Sequence, residues 1–312
     1  MKNLFHFSFL AAFSIALLFS NLKAQSKMWE NYIAGGKKFT AIAEENNFIW
    51  VGTDIGLIRV NKSSNELLFY DKSTGLPDNY ITAIAIDDSG NKWIGLAGLS
   101  GAVGFGLAKF DGVNWAYFNT GNSPLPSDQI AALFIDKEKN LWIGCTSEYP
   151  YLVKYYMGNW VIYDINNSAL PNRVITSITE DSSSIWIGTH GGLVKFDGIN
   201  WRLYNPQNSD IPSGIINDIA VDNANKKWIG MFGGLAVFND SVWVAYNQDT
   251  LFNEINDISI DKNGNFWLGT YNGLIKFDLN NWTIYDKENS AIPADEVDVL
   301  LIDRDNYKWL GT

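Results

Sequence analysis

From residue 38 onward the chain is a succession of short runs in which apolar and polar residues alternate, each run closed by Gly, Asp, Asn or Ser. One stretch shows the plan. Ile175, Ser177 and Thr179 alternate with Thr176, Ile178 and Glu180, and Asp181 to Ser184 makes a turn. Ile185 to Gly188 is a second run, turned by His190 to Gly192. Leu193 to Phe196 is a third, turned by Asp197 and Gly198, and Trp201 to Tyr204 is a fourth. Period-two alternation in β-branched and aromatic residues, punctuated by turn formers, predicts a four-stranded antiparallel meander.

The meander repeats. A Trp-x-Gly tripeptide recurs at Trp50, Trp93, Trp142, Trp186, Trp228, Trp267 and Trp309, at spacings of 43, 49, 44, 42, 39 and 42 residues. A period of this size built from short strands predicts an all-β fold, a seven-bladed β-propeller of four-stranded blades. The blades are placed at about 38–70, 80–118, 129–163, 174–204, 215–246, 254–285 and 296–312, the last completed by 29–32. Third-strand aromatics Phe110, Tyr155, Phe196, Phe238 and Phe277 each precede a fourth-strand Trp by five residues. Seven second-strand and five fourth-strand Trp account for twelve of thirteen; the other, Trp29, stands ahead of the first blade in a fourth-strand pattern, Trp29 to Tyr32. An N-terminal outer strand on the last blade is the expected closure, since it covers an open sheet edge. With only two strands' worth of chain after 296, the natural protein is expected to continue beyond Thr312.

Aligned inner strands place Ile42, Ile84, Leu133, Ile178, Ile219, Ile258 and Leu300 at one position and mostly small residues at the next, on opposite sheet faces. Linkers such as Asn122 to Pro126, Asn167 to Pro171, Asn208 to Pro212 and Asn289 to Pro293 repeat too, each ending in a Pro suited to an extended approach to the next blade.

Residues 1–24 read as a secretory signal peptide: Lys2, an apolar stretch from Leu4 to Phe19, and a small residue, Ala24, before a cleavage point at Gln25. A periplasmic or secreted location follows from that reading. From Gln25 on, 21 basic residues face 34 acidic ones, a surface that repels phosphate backbones and argues against nucleic acid. No membrane span is expected in the mature chain. Cys145 is the one cysteine, so no internal disulfide forms, and its place beside Gly144 predicts a buried, inert thiol.

The pattern Ile-x-x-Ile-x-x-Asp-x-x-Gly-Asn-x-Trp-Ile-Gly-Thr-x-x-Gly-Leu-x-x-Phe, fullest at 81–110, 215–238 and 255–277, resembles the two-component regulator propeller repeat. The resemblance implies an extracytoplasmic sensor or ligand-binding propeller, with carbohydrate as one ligand class and a signalling or sorting domain beyond this sequence. It leaves two other readings open: a secreted propeller enzyme of lyase or hydrolase type, and a structural surface protein.

Candidate ligand contacts come from positions that break the repeat on the propeller face around the channel mouth. Asp54, His190, Phe232 and Tyr271 vary in otherwise similar turns, and Phe105, Tyr149 and Tyr151 lie in longer loops. Asp218, Asp257 and Asp298 begin three successive inner strands. Either they gather a hard cation such as Ca2+ or a hydroxyl-rich ligand, or each carboxylate bonds its own linker turn. No catalytic residue and no other cofactor are expected: beyond the leader the only histidine is His190, and no nucleophile motif is present. The turns Asp87 to Asn91 and Asp261 to Asn265 lack a calcium-loop frame and read as hairpin turns.

Overall fold

The computed structural model describes residues 14–18, 29–33, 38–98, 104–146, 150–246 and 254–312. Six complete four-stranded antiparallel sheets follow one another along the chain, each in simple sequential strand order. The first comprises Phe39–Glu45, Phe48–Thr53, Gly56–Asn61 and Leu67–Tyr70; the fourth comprises Ile175–Glu180, Ile185–Thr189, Gly192–Phe196 and Trp201–Tyr204. The inner strand of each blade packs beside those of its two neighbours. That of the C-terminal pair, Val299–Ile302, lies between Ile255–Ile260 of blade six and Phe39–Glu45 of blade one, so the inner strands form a closed circle.

The expected seven blades are corrected in one respect. Six blades are whole, and the C-terminal end supplies only two strands to a seventh sheet, Val299–Ile302 and Lys308–Gly311. Trp29–Ile33 takes the outermost place on that sheet, as its sequence pattern predicts. The place between is filled by Ser14–Leu18, which pairs with Lys308–Gly311 on one side and Trp29–Ile33 on the other. That segment falls inside the apolar stretch read as a leader. A short apolar run suits a covered strand and a signal sequence equally, so hydropathy alone does not separate the two.

The Trp-x-Gly tripeptide is where neighbouring blades lock. On the glycine side, the missing side chain admits the residue that leads the next inner strand. A Cβ built on Gly95 would lie 2.7 Å from Ile130 Cγ2, on Gly144 2.8 Å from Ile175 Cγ2, and on Gly230 2.8 Å from Ile255 Cγ2. The same relation holds at Gly52 with Ile81, Gly188 with Ile216, Gly269 with Val297 and Gly311 with Phe39. Such approaches leave no room for any other residue.

On the tryptophan side, the indole is anchored by an acid at the foot of its own blade. Trp142 Nε1 donates to Asp136 (2.7 Å), Trp186 to Asp181 (2.8 Å), Trp228 to Asp222 (2.9 Å), Trp267 to Asp261 (3.0 Å), Trp309 to Asp303 (3.0 Å) and Trp93 to Asp87 (3.1 Å). Blade one substitutes Glu45 for the aspartate (2.7 Å). The same carboxylates hold the turn: Asp261 also accepts from the Asn263 and Asn265 amides and the Asn265 side chain. The Asp-rich turns are therefore hairpin turns whose carboxylates are saturated with protein donors.

Each anchored indole is then covered by the following blade. The residue before the next Trp is apolar or a lysine: Phe266 stacks on Trp228 with ring centroids 3.6 Å apart, whereas Lys92, Lys227 and Lys308 lie over Trp50, Trp186 and Trp267 at 4.9, 4.7 and 5.0 Å. These lysines are buried. Lys227 is balanced by Asp181 at 3.3 Å and Asp240 at 2.7 Å, which offsets the cost of enclosing its charge.

Candidate functional site

At the opposite end of each sheet from the Asp turns, linkers and second-to-third-strand loops share one face. Their backbones are stitched together: the amides of Asp54, His190 and Phe232 donate to the carbonyls of Lys38, Val174 and Ile215. A cavity of about 510 Å³ opens there, lined by residues of blades one, two, three, five and six and of the C-terminal pair. It lies at the mouth of the central channel, within the ordinary size range of small-molecule sites.

The lining is set by a backbone device that recurs in all six complete blades. The register between inner and second strands slips by one residue at Thr40, Thr82, Ala131, Thr176, Asn217 and Asn256. A β-bulge releases its extra residue from the ladder and re-aims the side chain. All of these but Thr176 line the cavity, as does Asp298 at the equivalent position of the C-terminal pair. Four of the bulged side chains reach sideways to the carbonyl that leads the next blade's inner strand. Thr82 donates to Ile130 O (2.6 Å), Thr176 to Ile216 O (2.8 Å), Asn217 to Ile255 O (3.0 Å) and Asn256 to Val297 O (3.0 Å). Ala131 has nothing to donate, and Thr40 Oγ1 is buried without a partner.

Two of the residues singled out from sequence reach this cavity, Tyr271 and Asp298. Tyr271 is 49% exposed, with its ring at the rim. Burial raises its phenol's pKa, and the charges of Glu254, Glu296 and Asp298 add to the rise. Asp298 is partly buried, and burial raises its carboxyl above the ordinary value; Lys38 opposes the rise and Glu296 adds to it.

The other two aspartates of the predicted trio go elsewhere. Asp218 Oδ2 accepts from the Ile258 amide (3.0 Å) and Asp257 Oδ2 from the Leu300 amide (2.8 Å), each bonding the inner strand of the next blade rather than its own linker. The two carboxyl groups also hydrogen-bond each other; burial raises both, and the Asp218 charge raises Asp257 further. Among the described residues, the one trio of carboxylates whose oxygens fall within 4.8 Å of one another is Glu44, Asp303 and Asp305. It encloses Lys62, with ion-pair distances of 2.7, 3.3 and 3.0 Å, and ties blade one to the C-terminal pair.

None of the remaining candidates among the described residues lines the cavity. Asp54 accepts from the Lys38 amide, Phe232 is exposed and bridges to Glu254, and Phe105 is exposed with the Lys72 ammonium 5.2 Å from its ring. His190 is exposed in its turn and outside the cavity lining. Tyr151 packs into a core cluster with Cys145, which is buried and whose thiol burial pushes up. Tyr149, Ala24 and Gln25 lie outside the described residues. Sequence reading missed Lys38, Tyr80, Gln129, Asn217, Glu254 and Asn256 as lining residues; the Asn residues were visible as neighbours of the predicted aspartates, but only the bulge aims them at the mouth.

Comparison with known proteins agrees with this architecture. The family described as two component regulator propeller matches at residues 124–147, 169–191 and 251–272. The chain carries two-component regulator propeller repeats. Among solved structures, the extracellular domain of BT3049, a hybrid two-component system of B. thetaiotaomicron, aligns with a TM-score of 0.58 and 21% identity over 95% of this chain. The alignment covers 46% of that domain, so this chain spans less than half of its length. A streptogramin B lyase aligns with a TM-score of 0.72 and 14% identity over 96% of this chain and 95% of its own. Virginiamycin B lyase from Staphylococcus aureus gives 0.69 and 11% identity, with 88% and 94% covered. At these identities the likeness is one of fold. No match is found among curated proteins. Among the described residues, no helix is long and apolar enough to cross a membrane.

Proposed function

We propose that this chain is an extracytoplasmic ligand-binding propeller of the sensor type, and that its ligand seats in the channel-mouth cavity. The observation that carries the reading is the cavity itself: about 510 Å³, assembled from six of the seven sheets, with amides, hydroxyls and a half-exposed tyrosine at its wall. A wall of Gln129, Asn217, Asn256, Thr82, Tyr80 and Tyr271 suits a hydroxyl-rich ligand, carbohydrate among them, because each group both orients and hydrogen-bonds. Similarity to extracellular domains of two-component systems supports the extracytoplasmic setting.

The test is a panel of mono- and oligosaccharides titrated against the protein, with Tyr271→Ala and Asn256→Ala as probes of the mouth. Binding that both variants weaken supports the reading; binding that neither changes places the ligand elsewhere and sinks it. In the full reading the ring has seven blades and the leader is removed after Ala24. Removal would take away Ser14–Leu18, so N-terminal sequencing of the exported protein decides whether that segment is leader or strand.

An enzyme of lyase type is the second reading, favoured by the fold-level likeness over nearly the whole of two lyases. A histidine-to-alanine form of the Staphylococcus enzyme is catalytically inactive. Here the corresponding kind of group would have to be His190, which stands outside the cavity, so a base at the mouth would fall to Glu254 or Asp298. Loss of a measured turnover in His190→Ala would reverse the order of the two readings.

A further inference from the structure

Four of the seven equivalent positions follow one chemical rule. Where a side chain bridges to the next blade it is a donor, Thr or Asn, and its target is a backbone carbonyl. Asp298 occupies the same place in the C-terminal pair, where the next carbonyl in the circle belongs to Phe39. An ionised carboxylate is an acceptor only and cannot make that bond. No hydrogen bond or salt bridge reaches the Asp298 carboxylate from the described residues, although its backbone amide is bonded to Gly311 O (2.9 Å). An acceptor therefore stands in a donor's place, unspent on the fold and in the cavity wall.

Its surroundings define what it would accept from. Of the charged residues lining the cavity, Glu254 and Asp298 are acidic and Lys38 is basic, and the exposed Glu296 adds its charge from the linker. One Glu254 oxygen takes the Asn217 amide at 3.1 Å. Beside these acids the Tyr271 ring is half exposed, and an aromatic face attracts cations. The carboxylates of Glu254, Glu296 and Asp298 all lie near enough to act on the Tyr271 phenol, with Lys38 opposing them.

Resting on the reading that the mouth is the ligand site, we propose that it receives an organic cation: a protonated amine whose N–H groups bond the Asp298 carboxylate while its carbon skeleton lies against Tyr271. A hydroxyl-rich remainder fits the amide-lined wall beyond.

The experiment compares putrescine with butanediol, the same carbon chain bearing hydroxyls in place of ammoniums, by calorimetry on the full chain at neutral pH and physiological salt. Putrescine is expected to bind and butanediol not. Asp298→Asn, which supplies the side chain natural to blades five and six at this position, should fold and should weaken putrescine by about tenfold or more. Asp88→Asn removes the same charge from a turn at the far end of blade two and should change nothing. Equal binding of both compounds, no putrescine binding, or equal losses in the two Asp variants overturns the proposal. The mouth reading itself fails separately, when Tyr271→Ala leaves the binding of every bound compound unchanged.

Discussion

Gly311 receives Phe39. A Cβ on Gly311 would run into the Phe39 side chain and lie 2.7 Å from Val299 Cγ2. This contact between the second-last residue of the sequence and the leading residue of the first inner strand repeats the blade-to-blade contact found six times along the chain, and it closes the circle.

Gly311→Ala should accordingly cost about 1–3 kcal/mol, the range for forcing a methyl group into a packed core. Chemical denaturation gives the loss. Hydrogen exchange should locate it in Phe39–Glu45 and Val299–Ile302, with blade four unchanged.

Acid should loosen the blade feet. Burial raises the carboxyl pKa of Asp181, but the Ser183 amide, the Trp186 indole and Lys227 outweigh it, and the net value is lowered; Asp87 and Asp261 are likewise lowered against burial by their Asn and Trp partners. A depressed folded value means that stability is present above the unfolded value, about 3.9, and is lost as pH falls through the folded one. Denaturation midpoints should drop below about pH 4. Asp181→Ala should cost about 2 kcal/mol at neutral pH, since it leaves the buried Trp186 N–H without its acceptor and Lys227 with Asp240 alone.

The Asp218–Asp257 pair has the opposite sign. Burial and the Asp218 charge raise Asp257, so its favourable contribution is complete below the unfolded value and is lost as pH rises through the folded one. Asp257→Asn keeps an acceptor for the Leu300 amide and supplies a permanent donor to Asp218. It should raise the melting midpoint at about pH 8 and leave it unchanged at about pH 4.

Cys145 should ignore maleimide in the native protein and react as soon as denaturant unfolds it. Its thiol is fully buried and burial disfavours the thiolate, the reactive form. Labelling at the native-state rate of an exposed thiol would contradict this.

How far could these features be read from sequence? The strand plan could, because Trp-x-Gly and the aromatic spacing report local geometry that each repeat builds for itself. The acids of the feet were visible as turn formers, but not as indole acceptors: Asp181 and Trp186 are five residues apart and meet only once the hairpin has turned. The partner of each glycine was hidden, since Ile130 lies 35 residues beyond Gly95 and belongs to another sheet. The mouth was hidden for a different reason. Period-two alternation assigns Thr82, Asn217 and Asn256 a face of the sheet, and the bulge that redirects them leaves no mark in hydropathy. From sequence Asp218, Asp257 and Asp298 formed one group; only Asp298 lines the cavity, and the oxygens of the other two serve the next strand's amides, a use that carboxylates at a strand's start do not advertise.

Because the bulged residue takes no part in the ladder, strand pairing does not depend on which side chain stands there, even where that side chain bridges to the next blade. One backbone position already hosts Thr40, Ala131, Asn217 and Asp298 within this single chain. Chemistry at the mouth can thus be rewritten one blade at a time, like characters on separate dials, while the glycine sockets that hold the dials together stay fixed.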